Sequence, residues 1–152
     1  MSQDIAKQTE VEYGLVKLLF EGLRSTVAWK VQGNDFSRKL STLRFIVRSF
    51  QGHLDRLFAL EEYDGYMDLV NKRAPRLSKT VDALKLEHDE FRGGVRRIAL
   101  GLERISSPTD EAKFATVCGE LLDLLDKLEI HGRKETDLIQ EAFEQDRGGG
   151  EG

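Results

Sequence analysis

The sequence predicts an all-α protein, an up-down-up-down antiparallel four-helix bundle, on three observations. Apolar residues recur in alternating steps of three and four over long stretches, as one face of a helix requires. Strand-type alternation is nearly absent. Only two prolines, Pro75 and Pro108, occur in 152 residues, and each stands where such a stripe begins, as expected of the first helical position.

Helix one, within Val11 to Val31, carries the stripe Val11, Leu15, Leu18, Gly22, Ser25 and Trp29. Asn34 and Asp35 offer caps for helix two, whose stripe runs through Leu40, Leu43, Val47, Phe50, His53/Leu54, Leu57 and Glu61. Helix three follows Pro75 with Leu77, Val81, Leu84, His88, Phe91, Val95, Ile98, Leu102 and Ile105. Ser107 before Pro108, with Asp110 and Glu111 after it, reads as a cap and an acidic first turn. Helix four then gives Phe114, Val117/Cys118, Leu121, Leu124/Leu125, Leu128, His131, Glu135, Leu138 and Ala142. Short connections between such helices suit an antiparallel bundle. The connection Tyr63 to Ala74 is long enough for a short helix or an ordered loop. The bundle is expected over 10–146, with 1–9 and the glycine-rich 147–152 composed like flexible tails.

A net charge of −4 with 33% charged and 39% hydrophobic residues suits one globular domain. The longest apolar runs, such as Leu57 to Leu60, fall far short of the roughly 18 residues of a membrane span. Met1 to Glu10 contains no apolar signal region, so the expected location is cytoplasmic, without a membrane partner. Basic residues interspersed with acidic ones argue against a nucleic-acid binder. The single Cys118 excludes an internal disulfide, and no CxxC pair exists for a zinc finger. No phosphate loop, nucleophile triad or substrate motif is present, so the reading leans away from an enzyme.

The functional signal is that ligand-type residues interrupt the core stripes. All three histidines, His53, His88 and His131, lie on them, and burying such groups without partners is costly. If helix two reverses near Leu69, His53 faces about Lys85; if helix three reverses near Pro108, His88 faces about Leu128. The three imidazoles then lie within about one turn of a common level. His131 and Glu135 form HxxxE, the i,i+4 spacing with which one helix face offers a nitrogen and a carboxylate to one ion. The expected metal-binding set is His53, Glu61, His88, His131 and Glu135, rich in nitrogen and oxygen, which suits iron, manganese or zinc. Tyr63, Tyr66 and Trp29 read as packing or rim aromatics. Glu62, Asp64, Glu87, Asp89 and Glu90 read as solvated faces, with Glu87 or Asp89 able to orient an imidazole.

Three segments carry a resemblance: His53-Leu-Asp-Arg-Leu-Phe-Ala-Leu-Glu61-Glu62-Tyr-Asp-Gly-Tyr66-Met67, Leu86-Glu87-His88-Asp-Glu-Phe91 and His131-Gly-Arg-Lys-Glu135-Thr-Asp-Leu138. The chain resembles the hemerythrin-like, or HHE cation-binding, family over most of residues 11 to 146. The resemblance implies four antiparallel helices with inward His and Glu ligands for non-haem iron, and carries His88, His131 and Glu135 over as ligands. Helix two departs from it, with Leu57 where the family's HxxxE would place a histidine four before Glu61. Helix one departs too, offering Gly22, Ser25, Thr26 and Trp29 but no histidine. The expected function is therefore metal binding, iron above all, as one ion, a pair or another divalent metal, in an oxygen, redox or metal sensing or storage role. Dioxygen, a protein partner or a second copy of the chain are partners compatible with it. The competing reading is a metal-free bundle with a vestigial site, acting as a scaffold or regulatory interaction module.

Overall fold

The computed structural model describes residues 2–33, 35–106 and 108–151, with side chains for 2–33, 35–106 and 109–144. The caps expected at Asn34 and Ser107 lie outside the described residues. Five α-helices follow one another: α1 Gln3–Ala28, α2 Asp35–Glu62, α3 Tyr66–Arg73, α4 Ser78–Glu103 and α5 Glu111–Glu151. No strand occurs among the described residues. Each proline opens a 3-10 turn, Pro75–Leu77 and Pro108–Asp110, that runs into the next long helix. Proline donates no N–H, and these positions need none.

α1 packs on α2, α2 on α4, α4 on α5, and α5 touches α1. Along these seams Val27 lies by Lys39 and Glu12 by His53; Arg44 lies by Leu102 and Asp55 by Arg92; Glu87 pairs with His131. Two basic side chains of α2 close helix ends. Lys39 Nζ donates to the Val27 and Trp29 carbonyls at 2.9 and 2.7 Å, and Arg44 donates to those of Leu102 and Ile105. A cation at a helix C-terminus meets its unsatisfied carbonyls and the negative end of its dipole.

α1 begins at Gln3, within the segment 1–9 that the sequence composes like a tail. Ser2 Oγ accepts from the Ile5 N–H at 3.2 Å, and Asp4 adds an acidic first turn. α5 runs to Glu151, through most of the tail expected at 147–152. The interior face of α1 also differs from expectation. Leu23 is fully buried and Val16, Leu19, Phe20 and Val27 pack beside it, whereas Val11 and Leu18 are 62% and 65% exposed. Both faces of α1 repeat at helical spacing, so periodicity alone does not choose between them. The richer aromatic and aliphatic face won the interior, because it removes more apolar area from water.

Two apolar clusters fill the bundle. One joins Leu23, Phe36 to Phe58, Phe91 to Ile105 and Phe114 to Leu125. The other joins Tyr66, Met67, Val70, Leu77, Val81, Leu84, Leu138 and Ala142. In chain order, Glu61, His88, His131 and Glu135 fall between these two sets on their respective helices. α3 closes the second cluster after a tight turn. Asp64 sits at φ 58, and at Gly65 a Cβ would lie 2.1 Å from the Leu60 carbonyl oxygen, so only glycine fits there. The Asp64 N–H donates to Asp68 at 2.8 Å, which fixes the start of α3.

Candidate metal centre

His88 from α4 and His131 from α5 are 0% and 2% exposed, with ring centroids 4.9 Å apart. Each ring is fixed on both sides. Phe58 stacks on His88 at 3.8 Å and 10°, and Phe91 meets His131 edge-on at 5.2 Å and 79°. The Nδ1 atoms face outward to carboxylates: His88 to Glu62 at 3.2 Å and His131 to Glu87 at 2.9 Å. Glu62 also accepts from Arg92 at 2.9 Å, and Glu87 from Lys134 at 2.9 Å. A carboxylate held by a cation accepts only, so each Nδ1 carries a proton and each Nε2 is turned to the interior, where it offers a lone pair in the neutral ring.

That interior is where pairing fails. Four buried side-chain atoms among the described residues have no hydrogen-bond partner, and three of them, His88 Nε2, His131 Nε2 and Glu61 Oε1, belong to residues of this region. His88 Nε2 lies 3.5 Å from Glu61 Oε1 and 3.9 Å from Glu135 Oε2, while His131 Nε2 lies 3.1 Å from Glu135 Oε1 without hydrogen-bond alignment. Ligands about 2.1 Å from a tetrahedral ion stand roughly 3.4 Å apart. Donor atoms of His88, His131 and Glu135 all lie within 4.8 Å of one another, a spacing that an ion fits. Unpaired buried donors of this kind are rare without a reason, and the set contains no thiolate, which suits iron, manganese or zinc.

The titrations show that a cation entering here would compete with protons. Burial keeps the His88 imidazolium disfavoured and its pKa low. Burial also acts on His131, but its glutamates Glu135 and Glu87 outweigh that and raise it. Burial, then Glu135 and Glu62, push Glu61 well above the ordinary carboxylate range. For Glu135, burial is outweighed by His131 and by its hydrogen bonds with Glu61 and Tyr66, and its pKa falls. The pair thus holds one proton, on Glu61, which a bound cation would release.

The structure brings together four of the five residues expected at the site and leaves His53 out. His53 Nδ1 pairs with Glu12 of α1 at 2.8 Å, with 38% of its side chain exposed. Leu54, at 2%, takes the interior place beside it. The level is also wrong. Asp55 faces Arg92 and Glu62 faces His88, so His53 stands roughly six residues, about 9 Å, beyond the height of His88. The reversal falls later than Leu69 because α3 occupies the connection. Leu57, 5% exposed, stays an apolar wall.

Three residues acquire roles that their sequence positions hid. Glu62 is not on a solvated face but orients His88. Tyr66 is not a rim aromatic; its hydroxyl donates to Glu135, delivered there by the Gly65 turn. Burial, then Glu135 and Glu61, raise its pKa, so the phenol keeps its proton. Glu12, 5% exposed on α1, holds His53 and, at 3.2 Å, Arg56. Glu62 and Tyr66 both stand in the HHE-like segment, which was their one signal, while Glu12 carried none. No second group of three or more His, Cys, Asp or Glu donors occurs among the described residues.

The family model of the hemerythrin HHE cation-binding domain matches residues 14–143 of this chain. No curated protein and no solved structure matches it.

Proposed function

The chain belongs to the hemerythrin HHE cation-binding domain family, and on that premise we propose that His88, His131, Glu61 and Glu135 hold one metal ion, iron in the first instance, in an oxygen, redox or metal sensing or storage role. The observation that carries this reading is that donor atoms of His88, His131 and Glu135 lie within 4.8 Å of one another while the buried Nε2 atoms of both histidines have no partner. The seam pairs run in opposite chain directions between α1 and α2 and between α2 and α4, which supports the up-down-up-down arrangement.

The number of ions follows from what surrounds the donors. Leu57 stands where a further histidine would be needed, α1 contributes none, and His53 is engaged with Glu12. One ion fits the donors; a stable pair lacks nitrogen ligands. Bound iron would supply one-electron redox chemistry and an open position for an oxygen donor. The protein's own part is to orient both imidazoles through Glu62 and Glu87 and to fix Glu135 through Tyr66. Among the described residues no helix is long and apolar enough to cross a membrane.

The test is metal stoichiometry after anaerobic iron loading, followed by an optical spectrum in air. One iron per chain, lost in His131→Ala, is expected. Two tightly held irons would overturn the single-ion reading. No uptake of any divalent metal would favour the scaffold reading, for which the exposed Val11–Leu18 stripe of α1 is the specific support.

A further inference from the structure

Val11, Leu15 and Leu18, whose stripe reads as interior in the sequence, stand on the outside of α1, 62%, 37% and 65% exposed. Single surface leucines are ordinary, but a continuous apolar row marks an interaction surface. Gly14 lies beside the row, and a Cβ there would meet nothing within 4 Å. Glycine in a helix interior costs stability relative to alanine, and no neighbour among the described residues calls for it.

The layout of this face follows from about 3.6 residues per turn. Lys7, Gly14 and Glu21 follow one another along its middle, all exposed. The apolar row lies on the side of α2, since Leu15 stands two turns before Gly22, whose Cβ would lie 3.9 Å from Ile46. Glu10 and Lys17, also exposed, lie on the side of α5, since Lys17 stands two turns before Arg24, which pairs with Asp126. A two-fold axis across α1 at Gly14 sets each residue before it opposite the one equally far after it in a second copy, and brings like sides of the face together. Lys7 then meets Glu21. Glu10 meets Lys17, and Val11 meets Leu18, each to within one residue. Both charge pairs are attractive, and symmetry makes each occur twice. In a parallel pairing Lys7 would meet Lys7 and Glu10 would meet Glu10, which repel; charges beside an apolar seam set helix orientation in this way.

We propose that the outer face of α1 binds a second copy of this chain, the two α1 helices crossing antiparallel at Gly14. A contact of one helix over about four turns buries less than the roughly 1,200 Å² at which standard interfaces begin, so the dimer is a weak one that forms as concentration rises. It asks nothing of His88 or His131, and stands or falls apart from the metal reading.

The experiment is sedimentation velocity on the full chain from micromolar to millimolar concentration, with helix content and melting temperature recorded for every variant. The wild type should pass from monomer to dimer. Gly14→Leu raises helix propensity and fills the crossing point, so it should keep or gain stability while the dimer weakens at least tenfold. Leu18→Glu should do the same to the dimer through the apolar row. Glu10→Lys and Lys17→Glu, each alone, put like charges together at both ends of the contact and should weaken it at least tenfold. The double variant Glu10→Lys/Lys17→Glu leaves net charge unchanged and exchanges the two partners, so it should restore the dimer. A chain that stays monomeric throughout would overturn the proposal and leave the face to a different protein. A dimer indifferent to Gly14→Leu and Leu18→Glu would place the contact elsewhere and overturn it equally. Loss in the single reversals without recovery in the double would overturn the antiparallel pairing.

Discussion

His53 and His131 make the same bond in two regions of the molecule. Each gives Nδ1 to a glutamate on a neighbouring helix, Glu12 at 2.8 Å and Glu87 at 2.9 Å. On the α1–α2 flank the pair is over a third exposed on the histidine side, with Arg56 completing the charge of Glu12. In the interior, the partner of the pair is a second nitrogen, His131 Nε2, buried and facing other donors. The first arrangement fastens two helices. The second leaves a buried ring nitrogen without a partner, which is what the proposed metal ligand requires.

The largest effect that tests this contrast is His131→Ala, which should abolish metal uptake, since alanine supplies no donor and the only inward HxxxE is broken. Atomic absorption on the purified variant checks it. Should the wild type bind no metal, the same substitution should cost stability alone, on the order of 2–3 kcal/mol by denaturant titration, through a cavity and lost hydrogen bonds. Glu87→Gln keeps the shape of the side chain but weakens its hold on Nδ1. Metal affinity should fall about 10- to 100-fold with stoichiometry unchanged, as outer partners of ligating histidines generally require; competition with a chelator of known strength measures this.

Tyr66→Phe removes only the hydroxyl that steadies Glu135, and a loss of up to about tenfold in affinity is expected. An unchanged affinity would assign Tyr66 to packing alone. A pH series should show a smaller effect. His131 is raised from 6.5 in the metal-free protein, so the stability it contributes is complete below 6.5 and is lost as pH rises through its folded value. Glu61, raised from 4.5, acts in the same sense from a lower starting point. His88, lowered by burial, is neutral in both states above pH 7 and contributes no change there. The melting temperature of metal-free protein should therefore fall from pH 7 upward, and the gap to the metal-loaded protein should widen. A gap that narrows would contradict the assigned protonation. The smallest effect on metal belongs to His53→Ala: uptake unchanged, with about 1 kcal/mol of stability lost as Glu12 keeps only Arg56.

The all-helical fold and the α4 and α5 interior faces are legible in the sequence because a stripe with one continuous apolar face admits one orientation. From Leu77 to Ile105 no rival stripe competes, so His88 follows inward with its neighbours. α1 offers two apolar faces, and only packing against α2 and α5 selects Leu23 over Leu18. His131 and Glu135 are legible for a local reason: four residues along a helix always share a face. His53 is not, since its height depends on where the chain reverses, and that depends on α3 and the Gly65 turn between α2 and α4. Glu87 was expected from the sequence as one of two residues able to orient an imidazole, and it does so for His131; Glu62 and Tyr66 are partners across helices, separated from their imidazole and carboxylate by 26 and 69 residues. The sequence by itself determined which residues could be ligands; tertiary structure decided which nitrogens were left unpaired, because hydrogen-bond satisfaction is a property of neighbours in space.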